Sequence, residues 1–284
     1  MRALAHPTIS AEESYSLCVA AIADDAIRNA LKKPLPLVGQ SEAPYKSLAA
    51  DQTLWALEPQ LAPDSPTGKL VTGLYKGTFS RKGSKARRLY DDIRMSAPGG
   101  VCPLCSHRDV KTLDHYLEKA RHPLYAVAPL NLVPSCTDCN KARSTKVASN
   151  AAEQTFHPYF DNNDDETWLR ARLFESSPMT VGYFVITPSG WSNLKQERAR
   201  FHFRQLALGS LYSAQAATEL SGVRHHLVAL FDRLGSEALR IHLLELAESR
   251  RMSRRNSWQG ALYTALAGSA WFYGGGLRNI ASAR

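Results

Sequence analysis

An α+β fold, mainly helical, is what the sequence predicts, with a small β-β-α unit in the middle of the chain. Three observations carry this expectation. Two Cys-x-x-Cys pairs, Cys102/Cys105 and Cys136/Cys139, bracket an insert that holds two short apolar runs. Long stretches on both flanks repeat their apolar residues at three- and four-residue spacing. One stretch beyond residue 166 alternates instead, as a hairpin does.

The elements follow in order. Residues 10–32 read as one amphipathic helix: Ser10 and Glu13 have capping-box spacing, and Leu17, Ile22, Ala26, Ile27 and Leu31 recur at helical intervals. Pro34 and Pro36 are expected to stop it. A weaker helix is expected over 44–57, and Pro63, Asp64, Ser65, Pro66 and Gly68 mark a loop. A basic run follows, Lys76, Arg81, Lys82, Lys85, Arg87 and Arg88, interleaved with Tyr75, Phe79 and Tyr90. It reads either as a phosphate-contacting patch or as a solvated helix face; its place just upstream of the cysteines favours the first. It leads into a helix ending near Met95, closed by Pro98-Gly99-Gly100.

Residues 110–113 have the β-branched and apolar character of a short strand that runs into Asp114-His115. Residues 131–134 form a second, and a helix opens over 140–143. Beyond an acidic loop at 162–166, residues 168–175 and 181–186 pair as a hairpin. Helices are expected over 191–208, 211–233, 236–250 and 257–271, with Trp191, Trp258 and Trp271 as core anchors and His225-His226 at the surface or in the core. The chain thus divides into a helical segment (1–98), a central module (99–161) and a hairpin with helices (162–284).

Composition bounds the function. With 44% hydrophobic and 21% charged residues the chain is ordinary for a globular protein, which excludes general disorder. The net charge of +9 favours a polyanionic partner, nucleic acid before a membrane surface. No run reaches the roughly 18 apolar residues of a membrane span. The N-terminal apolar run is broken by Asp24 and Asp25, unlike a secretory signal. These features point to the reducing cytoplasm, where paired cysteines bind metal rather than form disulfides. Cys18 is left over and reads as a small buried hydrophobe.

Two Cys-x-x-Cys turns complete a closed tetrahedral zinc site. The 30 residues between Cys105 and Cys136 are too many for a simple ribbon, so the insert carries structure of its own. A redox pair is disfavoured, because neither pair has the flanking strand and helix of a redox motif.

This stretch resembles the HNH endonuclease family, of the zinc-stapled ββα-metal type. That type has Asp-His at the end of the first strand, Asn at the second, and Cys-x-x-Cys-Asn at the helix; the matching residues are Asp114, His115, Asn131 and Asn140. The family often ends its motif in His, where this chain has Asn140. The segment His157-Pro-Tyr-Phe-Asp161, and more weakly Asn256-Ser-Trp-Gln-Gly-Ala-Leu-Tyr263, resemble stretches of bacterial HNH proteins. The resemblance implies that His115 takes the proton of the attacking water, and that Asp114 and the Asn140 oxygen hold one Mg²⁺ or Mn²⁺ by hard donors. Asn131 would tie the long loop to the first strand and hold His115. Neighbours on a strand point to opposite faces, so Asp114 and His115 need a distortion to reach one phosphate.

The expectation is a metal-dependent endonuclease hydrolysing DNA, in bacterial defence or restriction, with a regulatory protein partner to gate it and no membrane association. A zinc-stabilised nucleic-acid-binding protein without catalysis and a nuclease acting on RNA are the alternatives. His157 is a candidate phosphate or metal contact, or else packs with Tyr159. Arg143 and Lys146, near the helix start, are candidate phosphate contacts or else part of a solvated face. His107 and His122 read as surface residues.

Overall fold

Ser10 opens the first helix as its side chain dictates. Its oxygen accepts from the Glu13 amide while Glu13 reaches back to the Ser10 amide, so both ends of the capping box are closed. The computed structural model describes residues 1–144 and 148–281; Lys146 lies outside the described residues. The chain falls into two units, Met1–Asn162 and Asn163–Arg284. Among the described residues no helix is long and apolar enough to cross a membrane.

In the first unit, α1 (Ala11–Ala20) and α2 (Asp25–Lys32) are two helices where the sequence suggests one. Asp24 explains the break: its carboxylate accepts from the Ile27 amide and caps a new helix. Pro34 and Pro36 begin α3 (Leu35–Ala50) rather than merely ending its predecessor, because a first-turn proline lacks only an amide that would have gone unpaired. Pro44 lies inside α3, which starts nine residues before the expected helix. Helix α4 (Pro66–Leu74) runs directly into one turn of π-helix, Tyr75–Phe79, and α5 (Arg87–Met95) follows.

Strands β1 (Thr112–His115) and β2 (Leu132–Ser135) pair antiparallel, with Asp114 opposite Val133 and His115 opposite Leu132. Each sits slightly later than expected. The first cysteine turn claims Asp109 and Val110, through the Val101–Asp109 bridge and the Val110 amide on Gly100. Helix α6 (Thr137–Arg143) starts three residues earlier than expected, because the Cys136 sulfur itself caps it by accepting from the Cys139 amide.

The helices and the strand pair share one core. Tyr15, Cys18, Leu31, Val38, Tyr45, Leu74 and Phe79 are buried with Leu113, Leu124, Leu130 and Leu132. Polar ties cross the same region: Ser14 Oγ donates to the Val127 carbonyl at 2.7 Å and Tyr125 Oη to the Ser41 carbonyl at 3.1 Å. Burial pushes the Cys18 thiol up to about 12, which fits its expected place as an inert core residue.

The second unit is built on the expected hairpin, β3 (Leu169–Phe174) with β4 (Thr180–Val185). Helix α7 (Asn193–Gln205) precedes the helical segment α8 (Leu208–Ser253), which leaves helical geometry at Gly235 (φ 81°, ψ −176°). The halves fold back on each other there. The His226 and His242 rings lie 5.2 Å apart, and Arg250 reaches Glu219 at 3.9 Å, distances that a continuous helix excludes. Helix α9 (Trp258–Ala267) packs on β3 and on α8, while β4 packs on α8, so the hairpin is held between helices; α10 (Ala270–Tyr273) follows. Trp191 and Trp258 are buried as expected, Trp271 is half-buried, and His225 and His226 are exposed.

Gly235 occupies a backbone region open to glycine alone, so G235A is expected to cost about 1–3 kcal/mol in a urea melt. Gly222, in regular helix with open space around it, is the control. G222A is expected to be neutral or to stabilise by about 0.5–1 kcal/mol.

Candidate functional site

The two cysteine turns meet at their sulfurs. In the first, the Cys102 amide donates to the Arg108 carbonyl at 2.8 Å and the Ser106 amide to the Cys102 carbonyl at 2.7 Å, with Ser106 held at φ 55°. The four sulfurs are buried and lie within 4.8 Å of one another. Four sulfurs each about 2.3 Å from one ion would be separated by about 3.8 Å, so little contraction is needed. Backbone amides point at two of them, Arg108 at Cys105 (3.5 Å) and Cys139 at Cys136 (3.4 Å). An Arg108–Asp138 ion pair of 2.9 Å joins one turn to the other. Hydrogen bonds inside the cluster divide the thiols: Cys102 holds Cys105 and Cys136 below the usual range, while Cys102 and Cys139 are pushed above it. This cluster could hold a metal ion, and a thiolate donor set suits zinc in a closed, structural role.

The cysteine cluster sets α6 against β1, and the two elements meet through Asp114 and Arg143. The guanidinium donates Nη1 to Asp114 Oδ2, Nη2 to the Tyr116 carbonyl (3.0 Å) and Nε to Thr155 Oγ1 (3.0 Å), and it lies 4.5 Å above the Tyr116 ring. Both partners are nearly buried, their side chains 10% and 6% exposed. Burial pushes the Asp114 carboxyl up, against the opposing pull of Arg143 and of the His115 amide. Asn140 stands one turn before Arg143 on the same helix, hence on the same face. It is half-buried, and among the described residues its side chain has no hydrogen-bond partner.

His115 ends β1 on the other side of the strand from Asp114. Its Nε2 lies 2.9 Å from the Ala126 carbonyl. A carbonyl only accepts, so Nε2 carries the proton and Nδ1 keeps its lone pair. Burial pulls the imidazole down to about 3, which keeps it neutral at physiological pH. The Tyr75 ring meets it edge-on at 4.4 Å, and Tyr75 Oη donates to the Leu113 carbonyl. Lys119 Nζ stands 5.5 Å from the Tyr75 ring, and burial together with nearby Lys76 lowers its pKa. Of the basic run and its interleaved aromatics, Tyr75 therefore packs on His115 and Lys76 stands near Lys119. Two others, Arg87 and Arg88, are paired to Asp91 and Asp92 on their own helix.

Asn131 is fully buried with every side-chain valence in use. Its oxygen accepts from the Leu117 amide (2.7 Å) and Tyr45 Oη (3.1 Å), and its nitrogen donates to the Leu117 (2.9 Å) and Tyr125 (3.1 Å) carbonyls. It ties the loop to Leu117, just past the end of β1, and makes no hydrogen bond to His115. His157 joins the same network. Its Nδ1 accepts from the Tyr159 amide, so the proton sits on Nε2 and is donated to Tyr45 Oη at 3.1 Å. The ring packs 4.0 Å from Tyr116 and is 2% exposed, which is the packing alternative for this residue.

The structure thus gathers the four cysteines in one cluster, Asp114 with Arg143 and the face bearing Asn140 in another, and Asn131 with His157 in a third. Arg143, a candidate phosphate contact, is committed to Asp114. His122, expected at the surface, is 8% exposed, because the insert folds its edge under Tyr125. Tyr45 and Lys119 carried no site signal in the sequence. Tyr45 looks like any apolar position of α3, and Lys119 stands alone between the motifs.

No family model matches the chain, and no solved structure matches it. The chain is similar to "Protein ea31" of Escherichia phage lambda, 29% identical over 300 residues, across 97% of this chain and 100% of that protein.

Removing Arg143 leaves a carboxyl buried without its partner. R143A is therefore expected to destabilise by about 3–5 kcal/mol in chemical denaturation, far more than an exposed arginine. N131A, which strands the Leu117 amide and carbonyl, is expected to cost at least about 1–3 kcal/mol. Stripping metal with a chelator, or making C139S, is expected to lower the melting temperature and expose thiols to a colorimetric reagent.

Proposed function

We propose that the chain is a metal-dependent endonuclease of the HNH type, hydrolysing phosphodiester bonds in DNA, with zinc as the structural ion of the four-cysteine cluster. The observation that carries this reading is the meeting of β1, β2 and α6 over that cluster. Asp114 and His115 end the first strand, and Asn140 follows the fourth cysteine on the packed helix.

The residues fit a second, hard cation. Arg143 takes one Asp114 oxygen, leaving Oδ1 without a side-chain partner, and the Asn140 amide oxygen is unclaimed among the described residues. Carboxylate and amide oxygens are the donors that Mg²⁺ and Mn²⁺ prefer. Bound there, such an ion would supply charge relief at the leaving oxygen. His115 does the proton work. The Ala126 carbonyl fixes its tautomer, so Nδ1 keeps the lone pair that would accept the water proton. Tyr75 holds the ring plane, and Asn131 holds the loop from which the neighbouring backbone is braced. Lys119 supplies positive charge beside His115, with Lys76 near it in turn, suited to a phosphate.

One observation favours a second reading, a zinc-stabilised nucleic-acid-binding protein without catalysis. The Arg143 guanidinium already neutralises Asp114, and a divalent cation must share that carboxylate with it.

Plasmid nicking separates the two. The nuclease reading expects nicking with Mg²⁺ or Mn²⁺, and H115A slowed by about 10²- to 10⁴-fold with zinc content unchanged. N140A is expected to shift the Mg²⁺ titration to higher concentration with zinc unchanged. Binding without nicking under every metal would leave the second reading standing.

A further inference from the structure

The second unit carries a cavity of about 60 Å³ between β3 and α9, and its walls are unusual in charge. Arg170, Arg251 and Arg255 line it, with Thr167, Thr264 and a floor of alanines. No carboxylate takes part. Among the described residues none of the three arginines has an ion-pair partner. Arg251 donates to Thr264 Oγ1 at 2.7 Å, and Arg255 donates to the Asp165 carbonyl, so each is steered by a neutral acceptor and keeps most of its five donors.

The segment that resembles a stretch of bacterial HNH proteins, Asn256 to Tyr263, is what assembles this cavity. The Asn256 side chain is buried and pins the loop before β3. Its oxygen accepts from the Trp168 (2.8 Å) and Leu169 (3.2 Å) amides; its nitrogen donates to the Asn163 and Glu166 carbonyls and to Asp164 Oδ1. Ser257 caps α9 by accepting from the Gly260 amide. Gly260 leaves room for the arginine stem: a Cβ there would meet Arg251 Cγ at 3.2 Å and Ser257 Oγ at 2.7 Å. The segment thus fixes the loop, starts the helix and clears the path of Arg251.

We propose that Arg170, Arg251 and Arg255 form a receptor for a phosphate group. Three arginines lining one cavity gather positive charge that an anion would offset, and their planar forks match tetrahedral oxyanions. At about 10–15 Å³ for each water-sized occupant, the cavity takes about four to six, which is one phosphate group and not a base. The phosphate can come from a polynucleotide backbone or from a free phosphate. The receptor goes beyond the cleavage reading and stands even for a protein that binds without cutting.

The test uses the full chain without added divalent cation. R170Q/R255Q is compared with R240Q, an exposed arginine elsewhere on α8. One arm measures binding of a labelled DNA duplex across a salt series, and the other the melting temperature in inorganic phosphate against chloride at matched ionic strength. A backbone source predicts that R170Q/R255Q weakens duplex binding about tenfold and lowers the salt slope by about 1–2, while R240Q changes binding less than about twofold. A free-phosphate source predicts unchanged duplex binding, with the phosphate-induced rise in melting temperature present in the parent and lost in R170Q/R255Q. If R170Q/R255Q matches R240Q in both arms, the receptor is refuted. Nicking by the parent protein is scored separately, so loss of the receptor and loss of the nuclease reading give different results.

Discussion

The convergence of four buried sulfurs constrains everything else in the first unit. It pins both ends of a 30-residue insert, and it does so with turns whose backbone amides already point at the sulfurs. Because the second turn is also the start of α6, the position of the helix is fixed by the cluster and not by its own seven residues, too few to be stable alone. The placement of Arg143 against Asp114, and of Asn140 one turn away, follows from that.

The cluster alone does not order the insert between its ends. That task falls to a buried polar chain from His157 through Tyr45 to Asn131, backed by Ser14 and Tyr125. Each link has one admissible direction, since the backbone amide on His157 Nδ1 decides which nitrogen is protonated. Such a chain is costly when incomplete and specific when complete. It also explains why the N-terminal helices share a core with the strands: α1 and α3 provide the groups that satisfy the insert.

Much of this was legible in the sequence. The cysteine spacing announced the cluster, alternation announced the hairpin of the second unit, and glycine, proline and serine marked several boundaries. What stayed hidden depends on contacts across the fold. Asp24 looked like one polar residue in a helix and is the cap that divides it. Pro36 looked like a stop and is a start. Tyr45 and Lys119 lie far in sequence from the residues they serve, so no local pattern reveals them. Arg143 was visible as a cation near the site, but its commitment to Asp114 depends on the packing of α6 on β1. The break at 234–235 was visible as a gap in helical spacing; that the chain reverses there required the geometry of His226 and His242.

That reversal has a consequence for the second unit. The two arms of α8 are joined by a single residue, so facing partners sit at comparable sequence distances on either side of Gly235. The glycine therefore acts as a register pin. A residue gained or lost in one arm alone leaves the pairs next to the pin in step and slides every facing pair beyond the change, whereas matched whole-turn changes in both arms lengthen or shorten the hairpin and keep its facing pairs in register.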